Sequence, residues 1–268
     1  MGAAVAAQAV TAGHHVLWLP DGRSTATRDR AEQAGLTCCS SLGEALAASD
    51  VVLSICPPQA AEDVAHEVAG HRYQGVYVDA NAISPQRMDR IARTIRPGTT
   101  VLDGAIFGPP PREGRTCRLY LAGDEHAATL VTQLFRGTPV DTRSAGETTG
   151  AASAVKMSFA HFQKTARTLA GVSHALADSH GVADLLTEEA TRMTSEILSD
   201  PDYLPSVAAR AWRWAPEMGE IATTLRDAGL PTDLAEAAAT VMNRWKRDKD
   251  RADLPLAEAL DHLRDTNP

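Results

Sequence analysis

GAAVAAQAVTAGHHVLWL, residues 2–19, opens as an alanine-rich helix, stops at Gly13 and turns into an apolar strand over 15–19. A polar loop, Asp21-Gly22-Arg23-Ser24, comes next, and a helix over 26–34 ends at Gly35. Helix, glycine stop, strand and polar loop are what a strand–helix–strand unit presents after its first turn. A short strand is expected near Thr37. SLGEALAASD (41–50) reads as a helix capped by Ser40 or Ser41. VVLSICPP (51–58) is a strand of the buried type, halted by Pro57 and Pro58. A helix over 59–68, the strand GVYVDA (75–80), a helix over 85–95, the strand TVLDGAI (100–106) and a last strand RLYLAG (118–123) follow. This alternation predicts an α/β fold with a doubly wound parallel sheet.

Past residue 143 the strand-like runs stop. Helical spacing covers 147–178, 183–198, 204–214, 216–228, 232–248 and 255–263, punctuated by Gly181, Gly229, Pro231 and Pro255. Two domains are therefore expected: 1–142, of the Rossmann dinucleotide-binding type, and 143–268, all helix and serving substrate binding and dimerisation. The chain's 268 residues can bury a core without disulfides or metal. Acidic residues number 34 against 26 basic, a formal charge of −8, which argues against nucleic acid as a partner. Four cysteines, two of them adjacent, suit reduced thiols and a cytoplasmic protein better than a disulfide framework. No apolar run approaches the ~20 residues of a membrane span, and no signal peptide is legible.

The start of the chain is unusual for such a sheet. A doubly wound domain opens with a strand and a glycine turn before its first helix, whose N-terminus receives a pyrophosphate. Gly2 stands where the third glycine of that turn would fall, while the strand and two earlier glycines are absent. That strand belongs between the strand at His15 and the one at Val51, so its absence would leave unpaired backbone on both sides. The expectation is a natural chain that begins upstream, this sequence being a truncated form. The loop after the second strand carries Arg23 and Ser24, with Arg28 one turn into the next helix. An acidic side chain there accepts the ribose hydroxyls of NAD, whereas arginine and a hydroxyl suit the 2′-phosphate of NADP. Asp21 is the alternative ribose acceptor if the register shifts by one. NADP is the expected cofactor, in preference to NAD.

Six strings occur in order: GAAVAAQAVTAGHHV, VVLSICPP, VDANAISP, LDGAIFGPPP, GAASAVKM and RWAPEM. With them the chain resembles the β-hydroxyacid dehydrogenase superfamily, which includes 6-phosphogluconate and 3-hydroxyisobutyrate dehydrogenases. It is most similar to the branch of phosphogluconate dehydrogenase-like oxidoreductases with a compact helical C-terminal domain. The resemblance implies that Ser54 to Pro58, including Cys56 and Pro57, cover the cofactor. It implies that Asn81, after a strand end, lies near the nicotinamide ribose with a part in catalysis and cofactor binding. Asp103, Phe107, Gly108 and Ser153 would bind substrate. Where the family has a serine and two glycines, this chain has Phe107-Gly108-Pro109, which removes a hydroxyl and an N–H donor. Lys156 matches the family's general acid/base. The residues support that role separately: Thr149, Ser153 and Lys156 form a polar stripe on an otherwise apolar helix, flanked by Val155, Phe159 and Phe162 as core. Burial of such a lysine would favour its neutral form. Phe159 and Ala160 replace the family's asparagines after the lysine, and Pro216-Glu217 replaces its Lys-Asp pair, so a more apolar pocket is expected.

The expected function is hydride transfer between a nicotinamide and a small hydroxyacid, or a related alcohol or carbonyl, with Lys156 handling the proton. Decarboxylation could follow if the substrate carries a β-carboxylate. Imine reduction on the same scaffold is the second enzymatic reading, and a truncated, non-catalytic binder of a metabolite or partner is the third. A homodimer through the helical domain is expected, with no metal. His14, His15, His174 and His180 read as surface or capping residues, and the mixed-sign run 244–251 as a solvated helix face. Trp212, Trp214 and Trp245 read as core or dimer contacts.

Overall fold

The computed structural model describes residues 1–95, 98–193, 196–197 and 200–264, which pack as two compact units, Met1–Lys156 and Met157–Pro268. The first unit begins with α1 (Gly2–Thr11), which passes through Gly13, at φ +91°, into β1 (Leu17–Trp18). Then come α2 (Thr25–Gln33), β2 (Thr37–Cys38), α3 (Leu42–Ala47), β3 (Val51–Ser54), a 3-10 turn Pro58–Ala60 and α4 (Ala61–Gly70). They are followed by β4 (Val76–Asp79), α5 (Pro85–Ile95), β5 (Thr100–Phe107), β6 (Cys117–Ala122), α6 (Glu125–Gln133) and β7 (Val140–Ser144). Ser41 is the cap of α3: its hydroxyl accepts from Glu44 N–H at 3.2 Å, while the Glu44 carboxylate reaches back to Ser40.

The fold is the doubly wound α/β sheet expected, with two differences of detail. Strands β3, β4 and β5 run parallel in the order 3-4-5, with Val78 facing Leu53 on one side and Leu102 on the other. β6 then runs antiparallel to β5, because the link over 108–116 contains no helix to carry the chain back across the sheet. α6 makes the crossover to β7, which is parallel to β6. β7 and α6 were not anticipated: VDTRS lacks an apolar pattern, and its burial fades from Val140 to Ser144. The expected domain boundary at 142–143 falls inside this strand. β1 pairs in parallel with β2 and forms no ladder with β3, so the sheet is interrupted where a central strand was expected.

The strand alternation puts a core on each face. Val78, Leu102, Leu119 and Leu121 point to one side, against Val5 and Ala9 of α1 and Ala127 and Val131 of α6. Tyr77 and Val101 point to the other, against α4 and the Met88, Ile91, Ala92 and Ile95 stripe of α5. Gly104 on β5 lets β4 come close: a Cβ there would lie 3.0 Å from the Asp79 carbonyl oxygen.

The second unit is all helix among the described residues. α7 (Ala151–Ser179) starts in the first unit and continues as its leading helix, followed by α8 (Ala183–Thr191), a 3-10 turn Pro201–Tyr203 and α9 (Leu204–Asp227). α10 (Asp233–Met242), a 3-10 stretch Asn243–Asp248 and α11 (Leu256–Arg264) complete it. The expected helix over 183–198 runs in part into 194–195 and 198–199, outside the described residues. α9 runs through Pro216 as one helix where two were expected. Pro216 removes one backbone hydrogen bond, and the buried stripe of Ala215, Met218 and Ile221 carries the helix across it. In the 244–251 run Lys246, Arg247, Lys249 and Asp250 are exposed as expected, but Trp245 is fully buried with its indole N–H on the Ala259 carbonyl at 2.7 Å, and buried Asp248 meets His262 at 2.7 Å. His174 is buried too, not a surface residue. Val155, Phe159 and Phe162 are exposed and not core, because α7 buries the face bearing Ala152, Met157 and Ala160 instead. No described helix is long and apolar enough to cross a membrane.

Candidate functional site

The C-terminal ends of β3 and β4 are tied together by one buried side chain. Asn81, 3 % exposed, accepts from Cys56 N–H at 2.6 Å and donates from its amide to Ser54 Oγ at 3.0 Å and Asp79 Oδ2 at 3.1 Å. Its own backbone N–H donates to Asp79 Oδ1 at 3.1 Å. Both amide hydrogens and the amide oxygen are thus committed to protein groups. Asn81 shapes the loop that carries Cys56 and Pro57, and the 3-10 turn beginning at Pro58 leads the chain away.

The N-terminus of α1 comes up beside this loop. A Cβ on Gly2 would sit 3.5 Å from the Ile55 carbonyl oxygen, an ordinary contact, so glycine here keeps the approach open without being sterically demanded. α1 has no side-chain cap and no acidic residue in its first turn, which leaves its dipole suited to an anion. Arg23, Ser24 and Arg28 are exposed on the loop and first turn after β1. Arg28 Nε donates to the Arg23 carbonyl at 3.3 Å, and Ser24 Oγ lies 3.1 Å from Thr27 Oγ1. Asp21 is turned back onto the Gly22 N–H at 3.0 Å. The positive charge of Arg23 reaches the Cys56 thiol, whose pKa is nonetheless raised, foremost by burial. The structure therefore gathers Gly2, Arg23, Cys56, Pro57 and Asn81 at one edge of the sheet.

A second group forms at the end of β5. Asp103, with no exposed surface, accepts from Ser153 Oγ at 2.6 Å and Ser153 N–H at 3.0 Å, with the amides of Ala152 and Gly150 adding to its hydrogen bonding. It caps α7 from a neighbouring element. Ser153 is equally buried, so this pair faces inward and spends its polar atoms on itself. Three residues on from Ser153, Lys156 Nζ donates to the Ile106 carbonyl at 2.9 Å and stands 4.9 Å from the centre of the Phe107 ring. Phe107 packs edge-on against Tyr120, centroids 5.2 Å apart. Gly108, at φ +102°, approaches the Thr116 carbonyl so closely that a Cβ would lie 3.2 Å from it. Thr149 precedes α7 and so does not belong to the helical stripe with Ser153 and Lys156.

The sequence reading passed over Asp79. The string VDAN was the only signal, an acid at a strand end two residues before an asparagine. Asp79 and Asp103 are cross-strand neighbours, both buried. Burial outweighs the Asn81 hydrogen bonds and, with the nearby Asp103 charge, pushes Asp79 from 3.8 up to about 7 against the pull of Arg87. Asp103 is likewise raised by burial, against its bonds to Ser153. Between about pH 4 and 7 the folded protein then retains a proton that the unfolded chain has released, so stability falls as pH rises through this window and levels above it. Asp79→Asn is expected to flatten that slope, recovering up to about 3 kcal/mol at pH 8 relative to pH 5. Urea unfolding of both proteins at the two pH values measures it, and an unchanged slope would place the titration elsewhere.

Comparison with known proteins fits this geometry. A family model described as NADP oxidoreductase, coenzyme F420-dependent, matches residues 1–83, and a domain of unknown function, DUF1932, matches 177–245. An uncharacterised 28.5 kDa protein of Methanothermus fervidus is 29% identical over 167 residues, covering 62% of this chain and 63% of its own length, which is under two thirds of that relative. A conserved protein of unknown function, described as structurally similar to 3-hydroxyacid dehydrogenases, superposes with a TM-score of 0.68 at 25% identity over 92% of this chain and 93% of its own. Mycobacterium tuberculosis 3-hydroxyisobutyrate dehydrogenase, solved with L-serine, shares the fold with a TM-score of 0.76 at 21% identity, covering 99% of this chain and 96% of its own. The two family models and the relative at 25% identity support a relationship to the β-hydroxyacid dehydrogenase superfamily, and the dehydrogenase at 21% identity shares the two-unit fold.

Proposed function

We propose that the protein is an oxidoreductase that moves a hydride between NADP and a small hydroxyacid or related alcohol or carbonyl. The observation that carries this reading is Lys156, set by its bond to the Ile106 carbonyl above the Phe107 ring, on a helix capped by Asp103. In its neutral form Lys156 would take the proton of the substrate hydroxyl, and it would return that proton when a carbonyl is reduced. A nicotinamide, when bound, supplies the hydride acceptor or donor. The residues at the sheet edge fit such a group. The uncapped α1 N-terminus at Gly2 would receive the pyrophosphate, the Cys56-Pro57 loop would cover it, and Arg23, Ser24 and Arg28 would hold a 2′-phosphate. Asn81 would act on the cofactor by holding that loop in shape, and Asp103 and Ser153 on the substrate by holding Lys156. Phe107 and Gly108, with Pro109 offering no N–H, make the substrate wall more apolar than one built to grip a carboxylate.

Retention of a lysine at position 156 favours alcohol or carbonyl chemistry over imine reduction. A non-catalytic metabolite binder would have no use for a lysine so placed. The unpaired cysteines suit a cytoplasmic setting. Val155, Phe159, Phe162 and Leu169 recur along one exposed stripe of α7, which supports a homodimer through the helical unit.

Three outcomes follow from this reading. Lys156→Ala should lower turnover 10²–10⁴-fold while NADPH titration by fluorescence stays nearly unchanged; a rate above about a tenth of the original would reject the role. Arg23→Ala should weaken NADPH at least tenfold and leave NADH unaffected, whereas equal losses would mean that Arg23 does not read the 2′-phosphate. Sedimentation at micromolar concentration should show a dimer that Phe162→Asp converts to monomer, and a monomeric parent protein would remove the assembly from the proposal.

A further inference from the structure

One cluster in the helical unit carries more positive charge than the acids beside it neutralise. Lys164 and Arg167 lie one turn apart on α7, Arg210 and Arg213 one turn apart on α9, and Tyr203 sits on the 3-10 turn leading into α9. The guanidinium carbon of Arg167 is 3.6 Å from the centre of the Tyr203 ring, and that of Arg210 is 5.2 Å from the same ring and 5.0 Å from Trp214. Lys164 stands 5.6 Å from the Trp214 ring and is ion-paired with buried Glu217. Arg167, Arg210 and Arg213 form no salt bridge among the described residues. Glu217 and, more weakly, Asp250 act on Arg213 from a distance, the Asp250 carboxylate accepting from the Trp212 indole at 3.3 Å. Crowding by protein atoms, and then the Arg210 charge, hold Arg213 below the usual arginine range although the residue is exposed.

Two guanidinium groups set against one ring repel each other, and the ring face offers their N–H groups no in-plane acceptor. Their N–H groups, which lie in the guanidinium plane, still require acceptors. Arg167 Nε, Arg210 Nε and Arg210 Nη2 are shut off from solvent and have no hydrogen-bond partner. Unpaired charged donors away from water are costly, and a multi-oxygen anion is the group that an in-plane arginine fork satisfies. A monoanion would leave two of the three arginine charges uncompensated. A dianion leaves one, at exposed Arg213, where water screens it.

We propose that Arg167 and Arg210, set against the Tyr203 ring with exposed Arg213 beside them, form a binding site for a doubly charged oxyanion, a phosphoryl group or a dicarboxylate. The site lies wholly within the helical unit and does not rest on the hydride-transfer reading. Calorimetric titration and thermal unfolding of the cofactor-free protein with inorganic phosphate, succinate and acetate, at matched ionic strength, test it. Phosphate or succinate should bind saturably and raise Tm, and acetate should do neither. A preference for phosphate over succinate assigns a phosphoryl ligand, and the reverse preference a dicarboxylate. Arg210→Gln and Arg167→Gln, on different helices, should each weaken that binding at least tenfold. No response to either dianion, equal response to acetate, or undiminished binding in a folded variant of either arginine overturns the proposal.

Discussion

A carboxylate with no access to water, Asp103, joins the sheet to the long helix, and the placement of Lys156 depends on it. Its two oxygens take the Ser153 hydroxyl and amide at the start of α7, so the helix begins where the strand dictates. Charge-assisted bonds of this kind are short and directional, and a helix N-terminus adds its own dipole to the attraction. With the first turn fixed, Lys156 falls within reach of the Ile106 carbonyl on the same strand. Both contacts span fifty positions of sequence between β5 and α7.

The Asn81 knot solves a related problem at the next strand ends. The loop after β3 is not packed by apolar contacts alone: one amide ties Ser54, Cys56 and Asp79 together. The cost is two buried carboxylates on adjacent strands. Burial raises both, and Asp79 in particular sits near the protonation balance of neutral pH. The fold tolerates that penalty at the sheet edge where Gly2, Arg23 and the Cys56-Pro57 loop collect.

The helical unit shows the same division between what packs and what is left available. Ala152, Met157 and Ala160 on α7 and the Met218 and Ile221 stripe of α9 are covered, whereas Phe162 and Leu169 face outward. Arg167 and Arg210 carry charge against an aromatic ring and form no salt bridge among the described residues. Neither feature is required by the core.

By itself the sequence determined the alternation of strands and helices up to β6, the change to all helix, the glycine stop at Gly13 and the gathering of arginines after β1. Periodicity and local turn chemistry are enough for these, since each is written in neighbouring residues. It could not determine the antiparallel turn into β6, the unpatterned strand β7 or the continuity of α9 through Pro216, where packing overrides local propensity. It likewise misassigned Val155, Phe159 and Phe162 to the core, because an apolar stripe does not say whether anything covers it. Only the tertiary structure decided that Asn81, Asp103 and Ser153 spend their polar atoms on protein, that Asp79 belongs with them, and that Arg167 meets Arg210. Asp79 and Asn81 are two positions apart, but the bonds of Asn81 to Cys56 and of Asp103 to Ser153 span 25 and 50 positions across different elements, and contacts at such separations leave no periodic trace in the chain.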